Sequence, residues 1–168
     1  VLDCFTSKDH QIIIQPPVYH PFRIIPTLHH RIVVDNPLTL EAGQYKMDLE
    51  GLKNIINPAS KVLILCNPHN PGGRVWTRQE LIDIAEICYE HKILVISDEI
   101  HSDLAFAPHK HIPFASVSEK AAQNSITFMA PSKTFNIAGI VSSYSIIPND
   151  ELRKKFNKYL ESSELDEG

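Results

Sequence analysis

Short apolar runs alternate with amphipathic segments along the chain. Six runs have the length and composition of β-strands: residues 11–15, 31–35, 61–66, 92–97, 125–129 and 142–147. Several of them are almost continuously apolar, which is typical of strands that are buried on both faces of a parallel sheet. We therefore predict an α/β fold with three layers (α/β/α), in which helices cover both faces of a mostly parallel sheet.

Three helices are predicted, two between these strands and one after the last of them. The clearest covers residues 77–91, where Thr77 and Glu80 form the T-x-x-E pattern of a capping box. Its apolar residues recur at the spacing of one buried helix face. A second helix is predicted after Asp48, and a third after Pro148-Asn149-Asp150, with several lysines on its solvated side.

Composition and charge limit the classes of function. The chain has 168 residues, of which 43% are hydrophobic and 21% charged, as expected for one globular domain. The formal net charge is -4 and the basic residues are dispersed, which argues against a nucleic-acid or membrane-surface partner. No apolar run approaches the ~18–20 residues that a membrane span needs.

The cysteines indicate a reducing compartment. Cys4, Cys66 and Cys88 are odd in number and far apart in the sequence. This spacing predicts reduced core thiols in a cytoplasmic protein rather than a disulfide framework.

Polar groups follow three of the predicted strands directly. The run ending at Cys66 continues into residues 67–73, the run ending at Ser97 into Asp98-Glu-Ile-His101, and the run ending at Met129 into Ala-Pro-Ser132-Lys133. Because the carboxyl ends of parallel strands meet at one edge of a sheet, we expect these groups to converge there.

Each of these residues also has an ordinary structural interpretation. Lys133 has the simplest one, a solvated surface charge. Asp98 follows a buried strand, so it either caps a turn or needs a cation to remain ionised. Asn70 lies in a turn rich in Asn, Pro and Gly, where such residues are common. None of these signals is specific by itself.

Their combination carries a family resemblance. The motifs NPHNPGGRVW, SDEIHSDL, HKHIPFAS and APSKTFNIAG occur in this order at residues 67–76, 97–104, 109–116 and 130–139. Together they resemble the fold type I pyridoxal-phosphate (PLP) enzymes of the class I/II aminotransferase superfamily, and within it the cystathionine β-lyase (carbon–sulfur lyase) branch. The resemblance implies that residues 1–168 form a partial PLP-binding large domain of a transferase-like fold, without the N-terminal segment and the C-terminal small domain.

The resemblance implies roles for the residues at the predicted edge. Lys133 matches the lysine that holds PLP covalently and acts as general base at the substrate α-carbon. Apolar surroundings would favour the neutral amine that attacks the cofactor aldehyde. Asp98 matches the carboxylate that pairs with the protonated pyridine nitrogen, which would supply the cation that a buried Asp needs.

Four further residues match cofactor contacts of the family. Asn70 would donate a hydrogen bond to the phenolate oxygen, and His101 stands where many relatives have a Tyr with the same role. Tyr19 matches the aromatic residue that stacks on the pyridine ring, and Ser132 matches a ligand of the phosphate. One departure is Val141, which stands where many aminotransferases have a phosphate-binding Arg.

The expected function is a PLP-dependent carbon–sulfur β-lyase that acts on cystathionine or related cysteine S-conjugates. A PLP-dependent amino-acid aminotransferase and a non-catalytic PLP-binding regulatory module stay open as alternatives, because lyases and aminotransferases need the same lysine and aspartate. The resemblance also implies a small amino-acid substrate, a homodimer of the full-length protein, and little activity of these 168 residues alone. No metal site is expected, since no Cys or carboxylate completes a closely spaced set with the histidines.

Overall fold

The structure is a computed structural model, and it describes residues 1–163. Its strands are β1 (Gln11–Ile14), β2 (Ile32–Asp35), β3 (Thr39–Glu41), β4 (Gln44–Lys46), β5 (Ser60–Cys66), β6 (Leu94–Asp98), β7 (Ser125–Met129) and β8 (Tyr144–Ile146). Its helices are α1 (Leu2–Phe5), α2 (Pro21–Leu28), α3 (Leu49–Ile55), α4 (Arg78–Glu90), α5 (Glu119–Gln123), α6 (Pro131–Thr134) and α7 (Asp150–Ser162). Two short 3-10 helices cover Ser102–Leu104 and Phe114–Ser116.

A six-stranded sheet forms the centre of the fold, in the order β2-β1-β5-β6-β7-β8. Its first five strands are parallel, and β8 pairs antiparallel to β7. Each strand lies within or overlaps one of the six predicted runs. The prediction of a mostly parallel sheet is therefore confirmed.

Alternation along the strands divides the core into two layers. Leu63 and Leu65 of β5 pack with α4 on one face, whereas Val62 and Ile64 pack with Phe156 of α7 on the other. Each fully buried Leu contributes about 1.5–3 kcal/mol relative to an exposed one. Helices thus cover both faces of the sheet, which confirms the three-layer architecture.

The predicted helix starts are present. Thr77 and Glu80 form the complete capping box of α4. The Asp48 side chain accepts a hydrogen bond from the Gly51 amide at 2.8 Å, and the Asn149 side chain caps the first turn of α7. These side chains satisfy amide groups that have no partner inside the helix.

The hairpin of β3 and β4 was not predicted from the sequence. Its strands have three residues each and are largely exposed, so they lack the alternation that marks a half-buried strand. Ala42 and Gly43 connect them, both with positive φ angles, 47° and 78°. This local turn, rather than a buried face, determines the hairpin.

Cys66 and Cys88 are buried and Cys4 is half-buried, and all three are free thiols. Burial raises the pKa of Cys66 and of Cys88 to about 12, so both remain protonated. The prediction of core thiols holds for these two residues. Across residues 1–163, the helices are too short or too polar to cross a bilayer.

Candidate active site

The predicted polar groups meet at the carboxyl edge of the sheet. In the parallel register Cys66 of β5 lies beside Asp98 of β6, and Asp98 lies beside Phe128 of β7. The segments that follow these three neighbouring strands therefore start side by side. This confirms the expected convergence.

A cavity of about 100 Å³ lies at this edge. Its lining residues are Tyr19, Cys66, Asn70, Asp98, Ile100, His101 and Lys133. Five of the six residues singled out from the sequence thus line one cavity. The sixth, Ser132, is half-buried next to Lys133 on α6 and lies outside the lining.

Two larger cavities adjoin this one. A cavity of about 290 Å³ shares Asn70 and His101 with it, and a mainly apolar cavity of about 440 Å³ shares Asp98 and Ile100. The small cavity therefore lies next to two wider ones.

Asp98 is the carboxylate of the cavity. It is half-buried, and burial raises its pKa above the ordinary Asp value. Its one hydrogen bond, from the Ile100 amide at 3.3 Å, and the nearby His101 and Lys133 offset only part of this effect. Within residues 1–163 the Asp98 carboxylate forms no salt bridge. It is thus able to receive a cationic donor from a ligand.

Asn70 is held by the turn that follows β5. The Asn70 backbone amide donates to Cys66 Sγ at 3.2 Å, and the Cys66 thiol donates to the Pro68 carbonyl at 3.3 Å. Sequence reasoning missed Cys66 as a site residue. Its place as the last residue of a strand that ends at this edge was the available signal.

Close packing explains a glycine in the same turn. A Cβ on Gly72 would lie 2.6 Å from His69 Nδ1 and 2.8 Å from the Tyr45 ring, both closer than side chains tolerate. His69 in turn packs edge-on against Trp76, and burial lowers its pKa to about 4. The turn that carries Asn70 is therefore fixed from its inner side by neutral, packed rings.

Lys133 lies on α6, one short turn after β7. Lys133 lines the cavity and is exposed in the described chain, so the expected apolar surroundings of this lysine stay a prediction. The helix α6 has four residues and contains no buried residue. The Thr134 hydroxyl donates to Asp103 Oδ2 at 2.8 Å and ties this turn to the Ser102–Leu104 helix.

Tyr19 lies before α2, with its ring at one side of the cavity. It makes edge contacts with His20 and Phe22, at centroid distances of 5.1 and 5.9 Å. Tyr19 is 43% exposed, so it remains accessible to a ligand.

Histidines do not assemble into a metal site in the described part of the chain. No group of three or more His, Cys, Asp or Glu residues there is arranged to hold a metal ion. His111 instead pairs with Glu99, with 2.7 Å between Nε2 and Oε2, whereas His101 and His109 line the cavity of about 290 Å³.

Comparison with known proteins assigns the family. The model of the family described as aminotransferase class I and II matches residues 1–162. The chain belongs to this family. Its members are PLP-dependent enzymes, which agrees with the resemblance seen in the sequence.

Relatives include carbon–sulfur lyases. The chain is 46% identical over 165 residues to cystathionine beta-lyase PatB of Bacillus subtilis, covering 98% of this chain and 43% of the relative. The crystal structure of cystalysin from Treponema denticola, which contains a pyridoxal 5'-phosphate cofactor, has a TM-score of 0.91 and 38% identity over 96% of this chain and 41% of that one. The PLP-bound C–S lyase of Staphylococcus hominis has a TM-score of 0.84 and 36% identity over 95% and 41%. The chain therefore spans less than half the length of these relatives.

Proposed function

We propose that this chain carries the cofactor-binding part of a PLP-dependent carbon–sulfur β-lyase. Its substrates would be cystathionine or related cysteine S-conjugates, and its products a thiol, pyruvate and ammonia. The observation that carries the proposal is the cavity at the sheet edge, where Lys133, Asp98, Asn70, His101 and Tyr19 face one space. The 46% identity to a cystathionine β-lyase supports the choice of reaction.

The residues of the cavity fit PLP. Asp98 combines burial with a single backbone donor, and it forms no salt bridge in the described chain. Such a carboxylate is stabilised by a cation that arrives with a ligand. A protonated pyridine nitrogen has the required charge and one N–H to donate. Asp98 would accept that hydrogen bond and hold the proton on the ring nitrogen.

Asn70, His101 and Tyr19 would position the ring. The Asn70 side-chain amide and the His101 ring would donate to the phenolic oxygen, and the Tyr19 ring would stack on one face. The hydrogen bond from the Asn70 backbone amide to Cys66 Sγ supports this role, because it fixes the turn that carries the Asn70 side chain. Ser132, beside Lys133, would donate its hydroxyl to the phosphate.

Lys133 would hold the cofactor covalently and then move the α-proton. Its exposure in this chain leaves the amine accessible to an aldehyde. Once the substrate amine has replaced it, the Lys133 amine would take the proton from the substrate Cα as general base. PLP, when bound, supplies the electron sink for the carbanion. The Cβ–S bond would then break with its electron pair leaving on sulfur, and the proton taken up by Lys133 would be available to the thiolate. Water would hydrolyse the remaining enamine to pyruvate and ammonia.

An aminotransferase is the second candidate, and the description of the matching family favours it. Lys133 and Asp98 would serve there in the same way, but Lys133 would give up its proton with the Cβ–S bond of the substrate still intact. The nature of the product therefore separates the two reactions.

The proposal includes further properties of the full-length protein. We propose that residues 1–168 are a partial large domain with little activity alone, and that the intact enzyme is a cytoplasmic homodimer. Exposed apolar side chains near the site support a covering partner, notably Phe106 at 84% and Phe135 at 69% exposure.

The test uses the full-length protein that contains this chain, mixed with PLP and then with cystathionine. A visible absorption band of bound PLP that is missing in Lys133→Ala would support the cofactor role. Release of pyruvate would indicate the lyase, and formation of the 2-oxo acid of the intact substrate would indicate the aminotransferase. Absence of a PLP band in the wild type would refute both reactions.

A further inference from the structure

Glu99 is a buried carboxylate that the proposed chemistry does not use. It follows Asp98 at the end of β6 and is 1% exposed. Successive side chains of an extended strand point to opposite faces. Asp98 accordingly lines the cofactor cavity, whereas Glu99 lines a separate cavity of about 520 Å³ together with His111 and Thr127.

Three donors satisfy the Glu99 carboxylate. The Ser97 hydroxyl donates to Oε1 at 2.7 Å, the Phe114 amide donates to Oε1 at 2.9 Å, and His111 Nε2 lies 2.7 Å from Oε2. The other ring nitrogen of His111 is buried and has no hydrogen-bond partner within residues 1–163. The bond to Glu99 is therefore the polar contact that fixes the His111 ring.

The same segment, residues 111–114, also reaches β5. The Asn67 side-chain amide donates to the Ile112 carbonyl at 2.9 Å, and Asn67 begins the turn that carries Asn70. The Asn67 backbone amide donates to the Asp98 carbonyl at 2.9 Å. Residues 111–114 thus contact the ends of both strands that present the proposed cofactor ligands.

We propose that Glu99 and His111 form a positioning pair, which holds segment 111–114 across the ends of β5 and β6 and thereby fixes Asp98 relative to Asn70. The inference rests on the proposed function, since it assigns the purpose of this contact to PLP binding. Neither residue touches the cofactor cavity, so the pair acts through Asp98 and Asn70.

Two substitutions of His111 provide a matched test. The amide of Gln reaches the position of Nε2, whereas the amide of Asn reaches only that of Nδ1. His111→Gln therefore retains a donor for Glu99, and His111→Asn removes it. His91→Ala, at the exposed end of α4, serves as the remote control.

Two readouts on the full-length protein that contains this chain decide the matter. The first is amide hydrogen exchange by NMR at Asn67 and Glu99, with Leu81 in α4 as the internal reference. The second is the PLP dissociation constant from the visible absorption of the bound cofactor. We expect His111→Asn to raise both the exchange rate of Asn67 and the PLP dissociation constant on the order of tenfold. His111→Gln and His91→Ala should match the wild type.

The outcomes separate this inference from the proposed function. If His111→Asn accelerates exchange but leaves PLP affinity unchanged, the pair has only a structural role and the inference is overturned. Unchanged exchange at Asn67 overturns it as well. If the wild-type full-length protein binds no PLP, the proposed function fails, and the purpose assigned to the pair fails with it, whatever the exchange data show about the contact. If Leu81 exchange shows that His111→Asn unfolds the chain, Glu99→Gln takes its place, and an unchanged PLP affinity there would overturn the inference.

Discussion

The two carboxylates at the end of β6 have opposite surroundings. Glu99 accepts hydrogen bonds from a hydroxyl, a backbone amide and an imidazole on one face of the sheet. Asp98, its neighbour on the other face, receives one backbone amide at 3.3 Å. Burial raises the pKa of Asp98, and nearby His101 and Lys133 only partly compensate.

The difference indicates that the fold itself satisfies the Glu99 carboxylate, whereas the Asp98 carboxylate is available to a ligand. A buried polar group that the protein itself satisfies stabilises the native structure, whereas one that is left without partners destabilises it until a ligand supplies them. Perturbed carboxylates in a cavity are therefore candidates for functional groups. On this basis, substitutions on the Asp98 side should alter binding directly. Those on the Glu99 side should alter stability, and they should reach binding only through the positions of Asp98 and Asn70.

The largest effect is expected for Lys133→Ala in the full-length protein. Removing the general base lowers lyase activity by about 10²- to 10⁴-fold, and loss of the covalent attachment adds to this. Because Lys133 is exposed, the urea midpoint of unfolding without PLP should not change. Pyruvate release measures the loss of lyase activity, and urea titration measures the midpoint of unfolding. A Lys133→Ala enzyme with normal turnover would contradict the role of this lysine.

His111→Ala tests how much the contact between Glu99 and His111 contributes to stability. The substitution leaves the buried Glu99 carboxylate without its imidazole partner and should lower the free energy of unfolding by about 3 kcal/mol. Urea denaturation followed by circular dichroism measures this loss. The control His91→Ala should stay within about 0.5 kcal/mol of the wild type. Equal stability of the two variants would show that the contact between Glu99 and His111 contributes nothing to the fold.

Asp98→Asn should separate binding from stability. The neutral amide keeps the shape of the side chain but loses the charge, so PLP affinity should fall by roughly 10- to 100-fold. In the absence of PLP the same variant should be about 1 kcal/mol more stable at neutral pH, because a poorly satisfied carboxylate has been removed. A destabilised Asp98→Asn chain would place Asp98 with Glu99 among the structural carboxylates.

The stabilisation by Asp98→Asn should depend on pH. Since the pKa of Asp98 is raised in the folded chain, the native state binds its proton more tightly than the unfolded state does. The wild type therefore loses stability from this group as the pH rises from the ordinary Asp value, about 3.9, to the raised one. The advantage of the variant should disappear near pH 3. Urea titrations of both chains at the two pH values measure the change.

The smallest effect is expected at Tyr19. Tyr19→Ala removes a stacking ring worth about 0.5–1.5 kcal/mol and should weaken PLP binding by up to about tenfold. Tyr19→Phe keeps the ring and should bind PLP as the wild type does. Absorbance titrations with PLP compare the two variants. If the Phe variant binds as weakly as the Ala variant, the hydroxyl rather than the ring makes the contact.

Patterns that repeat along the chain predicted most of the fold. The central strand β5 and helix α4 are where the apolar runs and the capping box placed them, because burial and caps act locally. The antiparallel direction of β8 was not predicted, since apolar pattern does not encode strand direction. The β3–β4 hairpin was missed for a related reason, as its strands have no buried face.

Within the site, the sequence predicted which residues come together better than it predicted their burial and contacts. Asp98 ends a strand, and Asn70 and Lys133 lie just after strands, so parallel topology brings them together. The exposure of Lys133 depends on how little packs around α6, which the sequence of this turn does not reveal. The contact of Glu99 with His111 joins residues 12 apart across a loop and leaves no periodic signal.

Covalent labelling tests the central claim most directly. The chain is incubated with PLP, reduced with borohydride, digested and mapped by mass spectrometry, so that each labelled lysine is identified. Our account predicts that Lys133 carries the label in clear excess over the other lysines, and that Asp98→Asn diminishes this excess. Labelling spread evenly over surface lysines such as Lys61 and Lys92, with no preference for Lys133, would contradict it.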